Sequence, residues 1–460
     1  MRYQTINPCH GELLRSFDEH TDQQLETAIT TATECFETWR KLTFSKRAVI
    51  VAKAAAIMRR RTKEFAHSMT LEMGNIFEES VAEVMLSADI LDYYATHAES
   101  FLAPHNLKPD IGVPVIESLP LGVIFGMQPW NFPYFQLARF AGPNLMAGNV
   151  VMIKHAGSVP QCAIAFEQLW AEAGAPDGAC TNLRISPDQV LALIIDPRIR
   201  GVALTGVTDV AGSVAERTGK HVKKSRMELG GSGAFIVLDD TDLDRTLNWA
   251  VLAKMNNMGQ CCVAAKRFII LDHMADLFLA KLTAAMGTLR PGDPMDKSTT
   301  LAPLATEADL LKLVKQVENA IAHGATLLLG GKRMDRPGAF MQPTLLADIH
   351  PDNPAYREEF FGPVALLFRV KDKDAAIALA EYSDHGRGGS LDSQDIDRDK
   401  GGANRLENRM GLSNHPAWSA PDRSFDGIKK TGFRRERSSH GIHEFVHKKL
   451  VRAASADSPA

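Results

Sequence analysis

Three segments of this 460-residue chain carry residue types suited to chemistry: adjacent cysteines in NNMGQCCVAAKRF (256–268), a glutamate before a glycine pair in RMELGG (226–231), and an asparagine between aromatics in QPWNFPYFQLARF (128–140). A thiolate attacks a carbonyl carbon, a carboxylate takes a proton, and a side-chain amide donates to an oxygen on which charge develops. Cys262, Glu228 and Asn131 would together support acyl chemistry through a covalent intermediate. Singly, each also has an ordinary role, as a small core residue, a capping or surface acid, and a turn former.

The rest of the chain must supply elements that bring these segments together. Apolar residues recur at helical spacing from Thr21 to about Leu42, with Thr21 and Gln24 placed as a capping box. Two further helical patterns cover about 45–73 and 77–103. Short apolar runs then alternate with helices: LGVIFGM, a helix near 134–147, VVMIK, a helix at 160–173, GVALT, a helix near 210–220, and AFIVL. That alternation predicts an α/β fold with a doubly wound parallel sheet, which binds ligands at the carboxyl ends of its strands. Lys154 closes VVMIK at such an end, where an ammonium reaches ribose hydroxyls or phosphate. A second set, RFIILD, a helix at 275–287, ATLLLGG, PTLLAD and VALLFRV, predicts another α/β domain from about residue 232. The GxGxxG fingerprint is absent, because Gly231-Ser232-Gly233 leads into a strand rather than a helix.

Composition narrows the class. With 45% hydrophobic and 23% charged residues and a net charge of −3, the chain reads as globular, with neither nucleic acid nor membrane as partner. MRYQTINPCHGELLRSF lacks the regions of a signal peptide, and no run approaches the roughly 20 apolar residues of a membrane span, so a cytoplasmic location is expected. Six scattered cysteines (Cys9, Cys35, Cys162, Cys180, Cys261 and Cys262) suggest reduced thiols rather than a disulfide scaffold. No ligand spacing suggests a metal.

Taken together, the segments resemble the aldehyde dehydrogenase superfamily, from INPCHGE to GIHEF. PWNFP resembles the motif around its oxyanion asparagine, MELGG its general-base motif, GQCCVAAKR its nucleophile motif, EEFFGPV its nicotinamide-ribose motif, and SFDGIKKTGFRRE its PFGGxKxSGxGRE run. The resemblance assigns the nucleophile to Cys262, leaving Cys261 as packing, with Asn131 and the Cys262 N–H at the oxyanion and Glu228 activating water. For the cofactor it implies Lys154, Trp130, Ser158, Gly206, Glu359 and Phe361; for the substrate, Arg139, Phe132 and Phe425. The implied fold is a cofactor-binding domain (1–105 and 122–231), a catalytic domain (232–430) and a small β oligomerisation extension (106–121 and 431–455), followed by a flexible tail (456–460). A homodimer or homotetramer is expected.

Two positions bear on specificity. NAD-preferring members carry Glu three residues after the lysine; here Gly157 stands there, so NADP is expected alongside or ahead of NAD, with Lys154 and His155 or Ser158 as phosphate partners. Arg139 falls where succinate-semialdehyde dehydrogenases have an arginine, which implies a short aldehyde with a terminal carboxylate. Other positions depart from the family. Val207 replaces a pyrophosphate-binding Ser, Ala211 a Gly, Asp426 and Arg434 two further glycines, and GRGGSLDSQD is more polar than the expected strand. These leave open a broad-specificity enzyme for uncharged aldehydes and an impaired or non-catalytic member. Outside the family, a cysteine hydrolase would need His10, His221 or His273 as base. A vicinal disulfide between Cys261 and Cys262 is a further option.

Overall fold

The computed structural model describes residues 3–107, 113–239, 241–395, 401–402, 404–408, 410–415 and 419–453. Residues 108–112 of the expected extension, residues 456–460 of the expected tail and the side chain of Asp426 lie outside the described residues.

Helix Asp22–Trp39 starts as its sequence predicts: Thr21 Oγ1 accepts from Gln24 N at 3.2 Å while Gln24 Oε1 accepts from Thr21 N at 2.8 Å. The pattern over 45–73 resolves into two helices, Phe44–Arg60 and Thr62–Met73, broken at Arg61 (φ −105°, ψ 24°). No Gly or Pro marks this break. The Thr62 hydroxyl instead turns back onto Met58 O (3.0 Å) and Arg59 O (2.7 Å), competing with the helical ladder, while Arg61 pairs with Glu64 and Glu172. Helix Phe77–Phe101 buries Val84, Leu91 and Tyr94 and packs against Phe44–Arg60 and Pro133–Ala147. No helix among the described residues is long and apolar enough to cross a membrane.

Two sheets organise the chain. The first has six strands in the order Gly432–Phe433, Lys224–Glu228, Ile199–Thr205, Val123–Gln128, Val150–His155, Cys180–Asn182. All pair in parallel except Gly432–Phe433. The strand order reverses between Val123–Gln128 and Ile199–Thr205, where Met127 lies opposite Leu204, creating a crevice at their carboxyl ends. The second sheet has seven strands: Thr326–Leu329, Thr344–Ala347, Val364–Val370, Ala265–Leu271, Gly233–Val237, Gly388–Asp392, Met410–Ser413. Only its edge strand Thr326–Leu329 is antiparallel. GRGGSLDSQD thus does contain a strand, and its small residues let it pack beside Gly233–Val237.

Each sheet has its own core. Trp39, Phe65, Tyr94, Phe125, Phe140 and Trp170 cluster around the first, and Phe235, Phe268, Phe278, Leu345 and Leu366 around the second. At about 1.5–3 kcal/mol per buried large side chain, these cores dominate the stabilisation. The short connector Leu229–Ser232 joins strand Lys224–Glu228 of one sheet to strand Gly233–Val237 of the other. A third, three-stranded antiparallel sheet pairs Val446–Ala453 with Val113–Pro120 and the latter with His105–Asn106.

Candidate active site

Cys262 sits at the amino end of strand Ala265–Leu271, just after a strained turn in which Asn257, Met258 and Gly259 have φ of 50°, 53° and 74°. Left-handed backbone at Asn257 and Met258 stores about 1 kcal/mol or more per residue and persists because the turn is tied from several sides. Glu79 accepts from Asn257 N (2.9 Å), Asn257 Nδ2 donates to Asn131 O (2.6 Å), Asn131 Nδ2 donates to Gln260 O (3.0 Å), and Ala305 N donates to Gln260 Oε1 (2.9 Å). A side chain at Gly259 would bring its Cβ to 2.2 Å from Gly362 O, so only glycine fits.

Asn131 reaches this turn from the loop before helix Pro133–Ala147, whose first N–H groups at Tyr134 (2.9 Å) and Phe135 (3.1 Å) donate to Glu83 Oε1. Glu79 and Glu83, one helical turn apart on Phe77–Phe101, therefore fix both catalytic loops. Lys266, fully buried, ties the site from below: its Nζ donates to Gly231 O (2.6 Å), Cys261 O (2.8 Å) and Cys262 O (3.3 Å) and pairs with Glu359 Oε1 (2.7 Å). Gly231 is required here too, since a Cβ would stand 2.7 Å from Cys262 O.

The two thiols differ. Cys261 is buried and Cys262 half-buried; neither forms a disulfide. The neighbouring Cys261 thiol lowers the Cys262 thiol to about 6, against the opposing effect of burial, with Arg387 and Lys266 also favouring the thiolate and Glu228 opposing it. Cys261 is correspondingly pushed well above an ordinary thiol. His10, His221 and His273 are all exposed, away from this buried centre.

Glu228, at the end of its strand, enters a buried cluster of guanidinium groups. Its Oε1 accepts from Arg387 Nη1 at 2.6 Å and its Oε2 lies 2.5 Å from Arg139 Nη2. Arg139, 1% exposed, also pairs through Nη1 with Glu436 Oε2 (2.6 Å) and donates to Thr205 Oγ1 (3.2 Å) and Gln136 Oε1. It is thus engaged on both nitrogens by protein carboxylates. Arg226 also pairs with Glu436. Arg139, Arg387 and Arg437 surround the ring of Phe425 at 5.2, 4.7 and 4.6 Å. Arg437 Nη1 donates to Ala420 O (2.9 Å), whereas its Nε and Nη2 have no hydrogen-bond partner among the described residues.

Four buried arginines thus face two carboxylates. Despite its ionic partners Arg139 and Arg226, burial raises Glu436 to about 8, and Glu228 beside it adds to the rise. Glu228 is held well below the usual carboxylate range: burial opposes this, but the charges of Arg139 and Arg387 prevail. The cluster carries surplus positive charge next to Cys262, and an anionic ligand would relieve it. The C-terminal segment enters the cluster through Gly432, which lies opposite Glu228, and through Phe425, opposite Glu436. Arg387, Arg437, Glu436 and Lys266 were given no site role by sequence reasoning. Arg387 did leave a signal, as a charged residue inside the glycine-rich run of a strand.

Trp130, Asn131 and Gly206 follow the two strands that flank the reversal of strand order. Trp130 meets Phe361 edge to face at 5.9 Å, and Phe361 lies 5.7 Å from Lys266 Nζ. Glu359 also accepts from Gly231 N at 3.1 Å. Phe132, half-buried, precedes helix Pro133–Ala147 and meets Phe135 at 6.1 Å.

Lys154, one residue before the end of its strand, is half-buried, its Nζ donating to His155 O (3.1 Å); burial lowers it to about 8, with Glu19 opposing. Ser158 lies in the turn after this strand. His155 is turned inward, with Nδ1 at 3.1 Å from Gln128 O, and burial lowers it to about 4, so it stays neutral and is not placed to meet a phosphate. Helix Thr208–Lys220 points its N-terminus at the crevice from Val207, which is 59% exposed and gives no side-chain cap. An ammonium at a strand end, no acid at Gly157 and a helix N-terminus at the crevice fit a dinucleotide bearing an extra phosphate. No group of side chains able to hold a metal occurs among the described residues.

The comparisons with known proteins agree with this geometry. Residues 1–451 match the aldehyde dehydrogenase family. Over 451 residues the chain is 45% identical to an NADP(+) succinate-semialdehyde dehydrogenase of Deinococcus radiodurans, covering 98% of this chain and 94% of that one. It is 42% identical to a probable enzyme of the same name from Synechocystis, covering 98% and 99%. The fold superposes with a TM-score of 0.96 on a succinic semialdehyde dehydrogenase from Streptococcus pyogenes solved in complex with NADP+, at 41% identity and covering 98% and 100%.

Proposed function

The chain belongs to the aldehyde dehydrogenase family, and from that premise we propose that it oxidises succinate semialdehyde to succinate with NADP+ as the favoured cofactor. The observation that carries the substrate is the surplus of buried guanidinium groups around Phe425 and beside Cys262, a setting that favours an aldehyde with a carboxylate at its far end.

In this reading the Cys262 thiolate attacks the aldehyde carbon. The side-chain amide of Asn131 and the Cys262 N–H face the oxygen that becomes negative. Bound in the crevice beside Trp130, Gly206 and Phe361, with Lys154 and Ser158 at the adenosine end and Glu359 at the nicotinamide ribose, the cofactor supplies the hydride acceptor. Glu228 then receives a proton from the water that attacks the thioester, and Cys262 leaves as thiolate. Phe132 and Phe425 line the substrate path, and Arg139 contributes to the positive field that holds the carboxylate. In the same reading the chain divides into cofactor-binding, catalytic and extension parts and works in the cytoplasm as a homo-oligomer. Strand Val446–Ala453, with Leu450 61% exposed, supports assembly through the three-stranded sheet.

A substrate panel tests the reading. Succinate semialdehyde and the uncharged butanal, each with NADP+ and NAD+, should give kcat/KM at least about a hundredfold higher for the charged aldehyde with NADP+. Equal values for the two aldehydes would remove the carboxylate preference.

A further inference from the structure

Hydrolysis of the thioester asks Glu228 to take a proton from water, yet both of its oxygens already face cations. Oε1 accepts from Arg387 Nη1 at 2.6 Å and Oε2 lies 2.5 Å from Arg139 Nη2. Arg387 is itself braced: Nη2 donates to Leu229 O and the guanidinium lies over Phe425 at 4.7 Å. Because Arg387 grips the backbone one residue after Glu228 as well as its side chain, the carboxylate has a fixed partner. A carboxylate tied to two guanidinium groups is a weak proton acceptor. The oxidation half has no such impediment, since Cys262 and Asn131 lie on other elements and Arg387 favours the thiolate.

We propose that Arg387 is a positioning residue that holds Glu228 away from water, so that hydride transfer is fast and hydrolysis of the Cys262 thioester limits turnover. The proposal rests on the dehydrogenase reading above. In the slowed step, water oxygen bonds to the acyl carbon, one water proton passes to Glu228, the C–S bond breaks, and its electron pair stays on Cys262 as thiolate. No oxidant or reductant takes part. The acyl enzyme therefore accumulates, open to any neutral nucleophile that needs no carboxylate base.

Rapid mixing of the enzyme with saturating NADP+ and succinate semialdehyde near pH 8 reads this directly. The expected trace is a burst of about one NADPH per subunit followed by a phase at least about tenfold slower. Hydroxylamine should accelerate the slow phase and yield the hydroxamate. Arg387→Leu should raise the slow rate about tenfold or more and so narrow the gap between the two phases; Arg387→Gln, which keeps a donor for Leu229 O, provides the same reading if the leucine variant does not fold. Linear progress from the first turnover, no effect of hydroxylamine, or a slow phase unchanged in both variants would overturn the proposal. Absence of NADPH even in the first turnover would instead overturn the dehydrogenase reading, and this inference with it.

Discussion

Arg139 Nη2 lies 2.5 Å from Glu228 Oε2, and its other terminal nitrogen lies 2.6 Å from Glu436 Oε2. One guanidinium thus links the helix after Asn131, the strand ending at Glu228 and the C-terminal segment. Removing it takes one of its two guanidinium partners from each of two buried acids. Arg139→Leu should destabilise the protein by about 3–5 kcal/mol, read as a lower urea midpoint. A loss below about 1 kcal/mol would mean that the remaining arginines neutralise both acids without it.

Activity should be confined to a window. The Cys262 thiolate is present above about 6 and the Lys154 ammonium below about 8, so kcat/KM for NADP+ should rise through the first value and fall through the second. With NAD+, which offers the ammonium no 2′-phosphate, the acid limb should remain and the alkaline limb shrink. Identical alkaline limbs for the two cofactors would take Lys154 out of phosphate recognition.

The neighbouring Cys261 thiol favours the Cys262 thiolate. Cys261→Ala should move the acid limb upward, toward an ordinary thiol, and slow alkylation of Cys262 by iodoacetamide at pH 6. An unchanged alkylation profile would return Cys261 to a packing role.

Arg434 is exposed and has φ of 78°, a conformation in which a side chain is strained. Arg434→Gly should stabilise the fold by about 1 kcal/mol in denaturant titration. A neutral or destabilising result would show that the arginine side chain makes a compensating contact.

What the sequence revealed and what it hid follow one physical line. Cys262, Asn131 and Glu228 stand out in the sequence as candidates because neighbouring positions are constrained: Gly259 by its clash with Gly362 O, Gly231 by the approach of Cys262 O. The alternation of strands and helices was legible because buried parallel strands are apolar throughout. The break at Arg61 was not, because a hydroxyl turning onto its own helix leaves no Gly or Pro behind. Nor was the cluster of Arg139, Arg226, Arg387 and Arg437 around Glu228 and Glu436, since a charged residue looks the same in sequence whether solvated or paired inside. The pairing of Gly432 with Glu228 helps to bring the C-terminal segment to the cluster.

The connector Leu229–Ser232 has a wider consequence. Glu228 ends a strand of one sheet and Cys262 precedes a strand of the other, so the gap between the proposed base and the proposed nucleophile is a property of the seam and not of either sheet. A small shear along that seam would retune hydrolysis against oxidation while leaving the cofactor crevice and the thiol's own surroundings intact. In the proposed reaction, a substitution at the seam is therefore a way to shift the pace of one half-reaction relative to the other.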